Sequence, residues 1–245
     1  MSLPRLRLIP SMLALAAVAL LAAGCSTTPA SPAPTSTDRT DATAPSQPKE
    51  PSGDDIEAAW LAGGASIGIV TWGSSSKDCQ PAQADVKADG QSLEVTLKDR
   101  ADGQKPCTAD FGPRAIAFPV PSGVDVTQDV EVNVTYGKLK AEADLDGLPA
   151  APADPGMGQP SAGWFDDQGI LLMTYGSSSC PPVVQDVTMA DAGATVTFAT
   201  VDRVCTMDLA PRVTVIQLPQ EPKDGRAFTL TLTGDNLDGE VPVIG

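Results

Sequence analysis

The residues of this chain that could do chemistry fall into two sets arranged in the same order. The first begins Thr71-Trp72-Gly73-Ser74-Ser75-Ser76, reaches Cys79 and closes on Cys107-Thr108-Ala109-Asp110-Phe111-Gly112-Pro113-Arg114. The second begins Thr174-Tyr175-Gly176-Ser177-Ser178-Ser179, reaches Cys180 and closes on Cys205-Thr206-Met207-Asp208-Leu209-Ala210-Pro211-Arg212. A serine nucleophile needs a base. The chain has 0 histidines, which leaves Lys77 beside the first serine block and no counterpart beside the second. The serines therefore read as a strand-exit turn whose hydroxyls satisfy loop backbone groups. The cysteines lack the two-residue spacing of thioredoxin-like or zinc sites. They read as structural disulfides, Cys79 with Cys107 and Cys180 with Cys205, because only pairing within a set preserves the repeat. Asp110 with Arg114, and Asp208 with Arg212, stand four apart around a proline and read as local ion pairs. Arg114 and Arg212 are also candidates to bind an anionic ligand such as a wall polymer.

Other candidates are weaker. Asp144-Leu145-Asp146-Gly147 and Asp235-Asn236-Leu237-Asp238-Gly239 are oxygen-rich turns of the kind that suits calcium, but neither continues to the closing glutamate of an EF-hand, and both read as turns at domain ends. Trp60 and Trp164 could stack on a sugar, but at matched positions they read first as core anchors. Asp166 and Asp167, or the aspartates near Asp110, could serve a hydrolase that works with paired carboxylates and needs no histidine. No catalytic residue, metal ligand or cofactor is assigned from these motifs, and no enzyme is expected.

The elements that must position these residues are legible in composition and period. Aromatics are 4% of 245 residues, so any core rests on Val, Leu, Ile and Ala, and 23 Pro with 22 Gly favour many turns over long helices. Leu93, Val95 and Leu97 alternate with polar residues, as do Val130, Val132, Val134 and Tyr136, then Val196 and Phe198, then Phe228, Leu230 and Leu232. Period two marks strands with one buried face. Asp89-Gly90, Asp191-Ala192-Gly193 and Asp224-Gly225 read as the turns between them. Each set is preceded by a tryptophan, a glycine-containing turn and an apolar run, Ile67-Gly68-Ile69-Val70 or Ile170-Leu171-Leu172-Met173, read as a hairpin entering a buried strand. Ile56 to Leu61 could close a short helix.

The pattern predicts an all-β chain of two tandem, small antiparallel sandwich or barrel domains, made by internal duplication, each stapled by one disulfide. The first domain spans residues 55–149 and the second 163–245, with a Pro/Gly linker at 150–162. Lys138 to Ala143 reads as an insertion in the first copy, and Leu145-Asp146-Gly147 is matched to Leu237-Asp238-Gly239. Domains this small have marginal cores. A disulfide closing a loop of roughly 27 residues contributes about 3.5 kcal/mol by loop entropy, a large share of a typical stability of about 5–15 kcal/mol.

The chain opens with a basic segment containing Arg5 and Arg7, then mostly apolar Leu8 to Ala23, then Gly24-Cys25. That is a secretory pattern, with an apolar run short for a bilayer span. Residues 1–24 resemble the signal of bacterial lipoproteins, whose lipobox places small residues before a cysteine. Ala23-Gly24-Cys25 fits it, with Ala22 where leucine is usual. The resemblance implies cleavage before Cys25, acylation of its sulfur, and a membrane as partner through that lipid. Residues 25–54 then form a tether. From Ser26 to Gly53 there is no Ile, Leu, Val, Met or aromatic residue, so the segment cannot offset the cost of ordering its backbone. As a coil it spans on the order of 30 Å. Composition and stalk together look like envelope lipoproteins of high-GC Gram-positive bacteria. The formal charge is −15, which repels nucleic acid. The reading is an exported, lipid-anchored envelope protein on the outer face of the cell membrane. It binds or scaffolds, with a cell-wall polymer or another envelope protein as its partner. A carboxylate-dependent hydrolase and a calcium-dependent adhesin are the rivals.

Overall fold

The computed structural model describes residues 52–100, 106–150, 156, 158–200, 202–223 and 227–245. The leader, Cys25, nearly all of the tether, Pro152, Pro155 and the Asp224-Gly225 turn lie outside them. Fourteen strands and no α-helix fill the described residues. In the first half these are β1 (Ile56–Leu61), β2 (Ser66–Gly73), β3 (Pro81–Asp89), β4 (Ser92–Asp99), β5 (Gly112–Pro119), β6 (Val130–Tyr136) and β7 (Leu139–Leu145). In the second half they are β8 (Ser161–Trp164), β9 (Gly169–Gly176), β10 (Val184–Ala190), β11 (Gly193–Phe198), β12 (Ala210–Gln217), β13 (Thr229–Thr233) and β14 (Gly239–Ile244). The all-β class holds. Ile56 to Leu61 is strand, not helix, and pairs along its whole length with β2.

Strand order repeats. The first half makes a three-stranded sheet β1-β2-β5 and a four-stranded sheet β3-β4-β6-β7. The second makes one seven-stranded sheet, β10-β11-β13-β14-β8-β9-β12, in which the same two orders are joined where β14 meets β8. The sheets are not purely antiparallel as expected: β4 with β6, β11 with β13, and β14 with β8 run parallel. Between β4 and β6 the chain runs through β5 in the other sheet, which returns it to the end where β4 began, so β6 enters in the same direction. Lys138 to Ala143 is no insertion. It begins in the β6–β7 turn and forms most of β7, whose place in the second half is taken by β14. Leu145-Asp146-Gly147 therefore follows a strand that Leu237-Asp238-Gly239 precedes, and the two are not equivalent.

The sheets stack in layers rather than forming two separate sandwich or barrel domains. One apolar layer, with Trp60, Ile67, Ile69, Leu93, Val95 and Val132, lies between the two sheets of the first half. A second, with Ile170, Leu172, Val196, Ile216 and Leu230, lies between the two arms of the second half. A third, with Leu61, Val70, Phe165, Leu171 and Met173, joins β1-β2-β5 to β8-β9-β12. The cause is local. β2 and β9 are apolar on both faces, and burying only one face would leave Val70, Leu171 and Met173 in water. The described residues accordingly form one compact unit. The last residues of the expected linker are strand, and Ser161 Oγ accepts the Ala62 N–H at 2.9 Å across the junction.

Candidate functional site

The motif that recurs in sequence builds the same device twice, where β2 and β9 end. Both disulfides are present, with Cα atoms 5.9 Å apart for Cys79–Cys107 and 5.7 Å for Cys180–Cys205. Ser74 Oγ lies 2.8 Å from Ser76 Oγ and 2.7 Å from Thr108 Oγ1. Ser177 Oγ lies 3.1 Å from Ser179 Oγ and 2.8 Å from Thr206 Oγ1. Asp110 accepts the Ser75 N–H at 3.1 Å, and Asp208 accepts the Ser178 N–H at 3.2 Å. Hydrogen bonds from Ser75 and then Thr108 hold the Asp110 carboxyl below its usual range. Thr206 and then Ser178 hold Asp208 down to about 2. The hydroxyls serve one another and the loop backbone.

The expected Asp–Arg ion pairs do not form among the described residues. Arg114 instead donates through Nη1 to the Cys79 carbonyl at 2.6 Å and through Nη2 to the Trp72 carbonyl at 2.9 Å. Arg212 does the same to Cys180 at 2.8 Å and Tyr175 at 3.1 Å. Arg114 and Arg212 lie near the start of β5 and β12, and their side chains reach their own disulfide loops rather than the aspartate that precedes the strand. The glycine of the serine motif is part of the clamp. A Cβ at Gly73 would stand 2.8 Å from Arg114 Cζ, and one at Gly176 would stand 2.7 Å from Arg212 Cζ. Each guanidinium lies over a backbone that only glycine leaves open.

The second candidate is a cleft of about 510 Å³ bordered by both halves. Trp60, Asp144 and Asp146 come from the first half; Trp164, Asp166 and Asp167 come from the second, with Glu221 and Lys223 from the loop after β12. Trp60 is 1% exposed, and its Nε1–H donates to the Asp146 carbonyl at 2.8 Å, which fixes the chain leaving β7 against the cleft floor. Trp164, half-buried, packs edge-on against Phe228 with ring centroids 5.0 Å apart. Both tryptophans hold matched register, Trp60 opposite Ile67 and Trp164 opposite Ile170. Asp166 starts the β8–β9 turn, and its Oδ1 accepts the Gln168 N–H at 2.7 Å. Burial pushes its carboxyl up; the turn amides oppose this, and Asp167 beside it adds to it.

The structure thus separates Arg114 and Arg212, which clamp loops, from Trp60 and Trp164, which border one cleft. It also brings Asp144 and Asp146, read as a turn, together with Asp166 and Asp167. Asp235 and Asn236 instead take positive φ, 51° and 58°, in the β13–β14 turn, where Asp238 accepts the Gly234 N–H at 3.2 Å. Among the described residues no group of three or more His, Cys, Asp or Glu could hold a metal ion. Glu221 and Lys223 carried no sequence signal, because a loop with no period does not announce what it approaches. Compared with known proteins, the chain matches no family model, no curated protein and no solved structure.

Proposed function

We propose that this is an exported, lipid-anchored envelope protein that binds its partner without catalysis, in the cleft bordered by its two halves. The carrying observation is the cleft itself, bordered by tryptophans at matched register in both halves and by carboxylates from separate segments. Concave sites with aromatic walls and a few convergent polar groups are where ligands bind. Two disulfides are characteristic of an oxidising, extracellular environment. The lipobox-like Ala23-Gly24-Cys25 and the apolar-free tether support anchoring through Cys25 with a free reach outward. The recurring strand order and the duplicated clamp support descent from one seven-stranded unit copied once. The partner is a cell-wall polymer or another envelope protein.

Two measurements test this. Cys25→Ser should leave protein that is either released or retained as an unprocessed precursor; native protein recovered wholly soluble, with no acyl mass, overturns the anchor. Titration of the full chain with isolated wall polymer should shift tryptophan fluorescence, and Trp164→Ala should abolish the shift. A response that survives Trp164→Ala removes the cleft from the reading.

One observation favours the rival hydrolase. Asp166, whose carboxyl is pushed up by burial, borders the same cleft as Asp144 and Asp146, and a hydrolase that works with paired carboxylates needs two such groups in one cleft. Turnover of wall polymer that disappears in Asp166→Asn would replace the binding module with an enzyme.

A further inference from the structure

We propose that the loop closed by Cys180 and Cys205 docks on a lipid bilayer, with Val204, Met207 and Leu209 entering the boundary between headgroups and acyl chains. The inference rests on the reading of Cys25 as a lipid anchor and adds a second contact with the same membrane. Val204 is 98% exposed, Met207 104% and Leu209 70%. Single apolar side chains on a surface are ordinary, but three on one short loop are the kind of feature that marks an interaction site. The polar side chains of the same loop turn back onto the protein. Thr206 Oγ1 lies 2.8 Å from Ser177 Oγ, Asp208 accepts the Ser178 N–H at 3.2 Å, and Arg203 donates to the Pro181 carbonyl at 3.1 Å. The usual arrangement is inverted: hydrophilic groups hold the loop and hydrophobic ones meet the solvent, while the Cys180–Cys205 bridge fixes its path.

The first half supplies the control. Counted from Cys107 and Cys205, Pro106, Ala109 and Phe111 stand where Val204, Met207 and Leu209 stand. Phe111 stacks on Trp72 with ring centroids 6.1 Å apart, and Pro106 and Ala109 have little to insert. The two loops share their hydrogen bonds, so the apolar tips of the second are not needed to build it. Size and reach select the partner. Three side chains fall well short of the roughly 800 Å² a side that a stable protein interface buries. A bilayer needs no matching surface, and apolar area alone sets how strongly such a loop is held at its interface. It is also the apolar partner kept closest. The chain from Ser26 to Pro51, between Cys25 and the described residues, spans at most about 90 Å at full extension, and tethering makes a weak second contact effective. The formal charge is −15, which anionic headgroups repel, so the docking is apolar and not electrostatic.

The test reconstitutes the full chain, as isolated from the cells that make it, with phosphatidylcholine vesicles whose acyl chains carry bromine, which quenches an indole on contact. Met207→Trp should lose at least half of its added emission relative to unbrominated vesicles, in low and high salt alike. Ala109→Trp, at the matching place in the first half, should keep its emission. Neither substitution should move the unfolding midpoint, because both positions face solvent. Val204→Asp with Leu209→Asp should reduce the quenching of Met207→Trp at least twofold. Equal quenching of the two indoles would mean that the protein lies on the bilayer without preference and would overturn the proposal. So would quenching that high salt removes or that requires phosphatidylglycerol. No quenching with acyl mass present on Cys25 would overturn the docking and leave the anchor. Quenching without acyl mass would keep the docking and remove the anchor, and the absence of both would remove both. An oligomer in detergent that Val204→Asp with Leu209→Asp dissociates, with Met207→Trp unquenched in vesicles, would give the loop to a second copy of the chain and overturn the bilayer.

Discussion

The two halves agree where each closes its own loop and differ where they touch each other. At the disulfide ends the serine hydroxyls, the aspartate carboxylate and the arginine clamp recur contact for contact. At the junction the matched rows are Ala59, Gly68 and Ala117 on β1, β2 and β5, and Gly163, Leu171 and Val215 on β8, β9 and β12. Here equivalent positions meet. A Cβ at Gly68 would fall inside contact with Leu171, and one at Gly163 would fall inside contact with the Trp60 carbonyl and stand 3.5 Å from Ala59 Cβ. Two identical leucines could not occupy the Gly68–Leu171 position, and two alanines would crowd the Ala59–Gly163 position. One side must be small where the other is large. Identity is thus held by chemistry internal to a copy, and difference is required by packing between copies.

The largest effect should come from breaking that complementarity. Gly163→Val drives a side chain into backbone, which cannot yield, and should cost more than about 4 kcal/mol in denaturant unfolding. Gly68→Ala meets the flexible ends of Leu171 and Leu61 and should cost about 1–2 kcal/mol. Equal, small costs would mean that the halves do not meet along these rows. Next come the disulfides, whose sequence separations are 28 and 25. Loop entropy gives about 3.5 kcal/mol for each, so replacing either pair by alanine should destabilise the chain almost equally. A gap above about 1 kcal/mol would show that the two ends are not equivalent supports.

The cysteine pairing and most strands could be read from the sequence because both follow from local pattern. Leu93, Val95 and Leu97 are buried and the residues between them exposed, as period two requires. The layering was harder to see. Ile170 to Met173 read as a buried strand, but an apolar run on both faces also demanded a third layer, and β9 is buried on both sides for that reason. The match of Leu145-Asp146-Gly147 to Leu237-Asp238-Gly239 misled because three common turn residues carry no register. The glycine of the serine motif drew no reading in the sequence, and its role is to let a guanidinium lie against the backbone. The cleft was invisible as a unit: its carboxylates sit at the ends of elements whose meeting is set by the junction, not by any spacing along the chain.

A smaller contrast tests how far each end tolerates change around the clamp. Arg114 lies over the Tyr136 ring, 5.5 Å from its centroid, and burial, with Asp99 as hydrogen-bond partner, pushes the Tyr136 hydroxyl well up. At the matching register of the second half, where Val132 and Val134 correspond to Leu230 and Leu232, stands Gly234, which offers no ring. Arg114→Met and Arg212→Met should each cost about 2 kcal/mol by stripping donors from two carbonyls. Arg114→Met should cost about 0.5–1 kcal/mol more for the lost ring contact. In a Tyr136→Thr background that excess should vanish; its persistence would place the difference somewhere other than the ring.

The smallest expected effect is a titration, and it asks whether the two aspartate caps act alike. Asp208 titrates at about 2 in the folded chain and Asp110 also lies below its usual value, against about 3.9 for an unfolded aspartate. A folded value below the unfolded one means that the cap contributes above about pH 4, and that its contribution fades as pH falls toward the folded value. Asp166 has the opposite sign: its carboxyl is raised by burial, so its burden on the fold grows as pH rises through the carboxylate range. Both caps face solvent, so the measurement is local, the amide proton shifts of Ser75 and Ser178 followed from pH 6 downward. The Ser178 shift should move with a midpoint near 2 and vanish as a transition in Asp208→Asn. The Ser75 shift should titrate below the ordinary aspartate range and respond only to Asp110→Asn. A midpoint at about 3.9 in one loop alone would mean that its aspartate is free in solution, and that the two ends share the arginine clamp but not the cap.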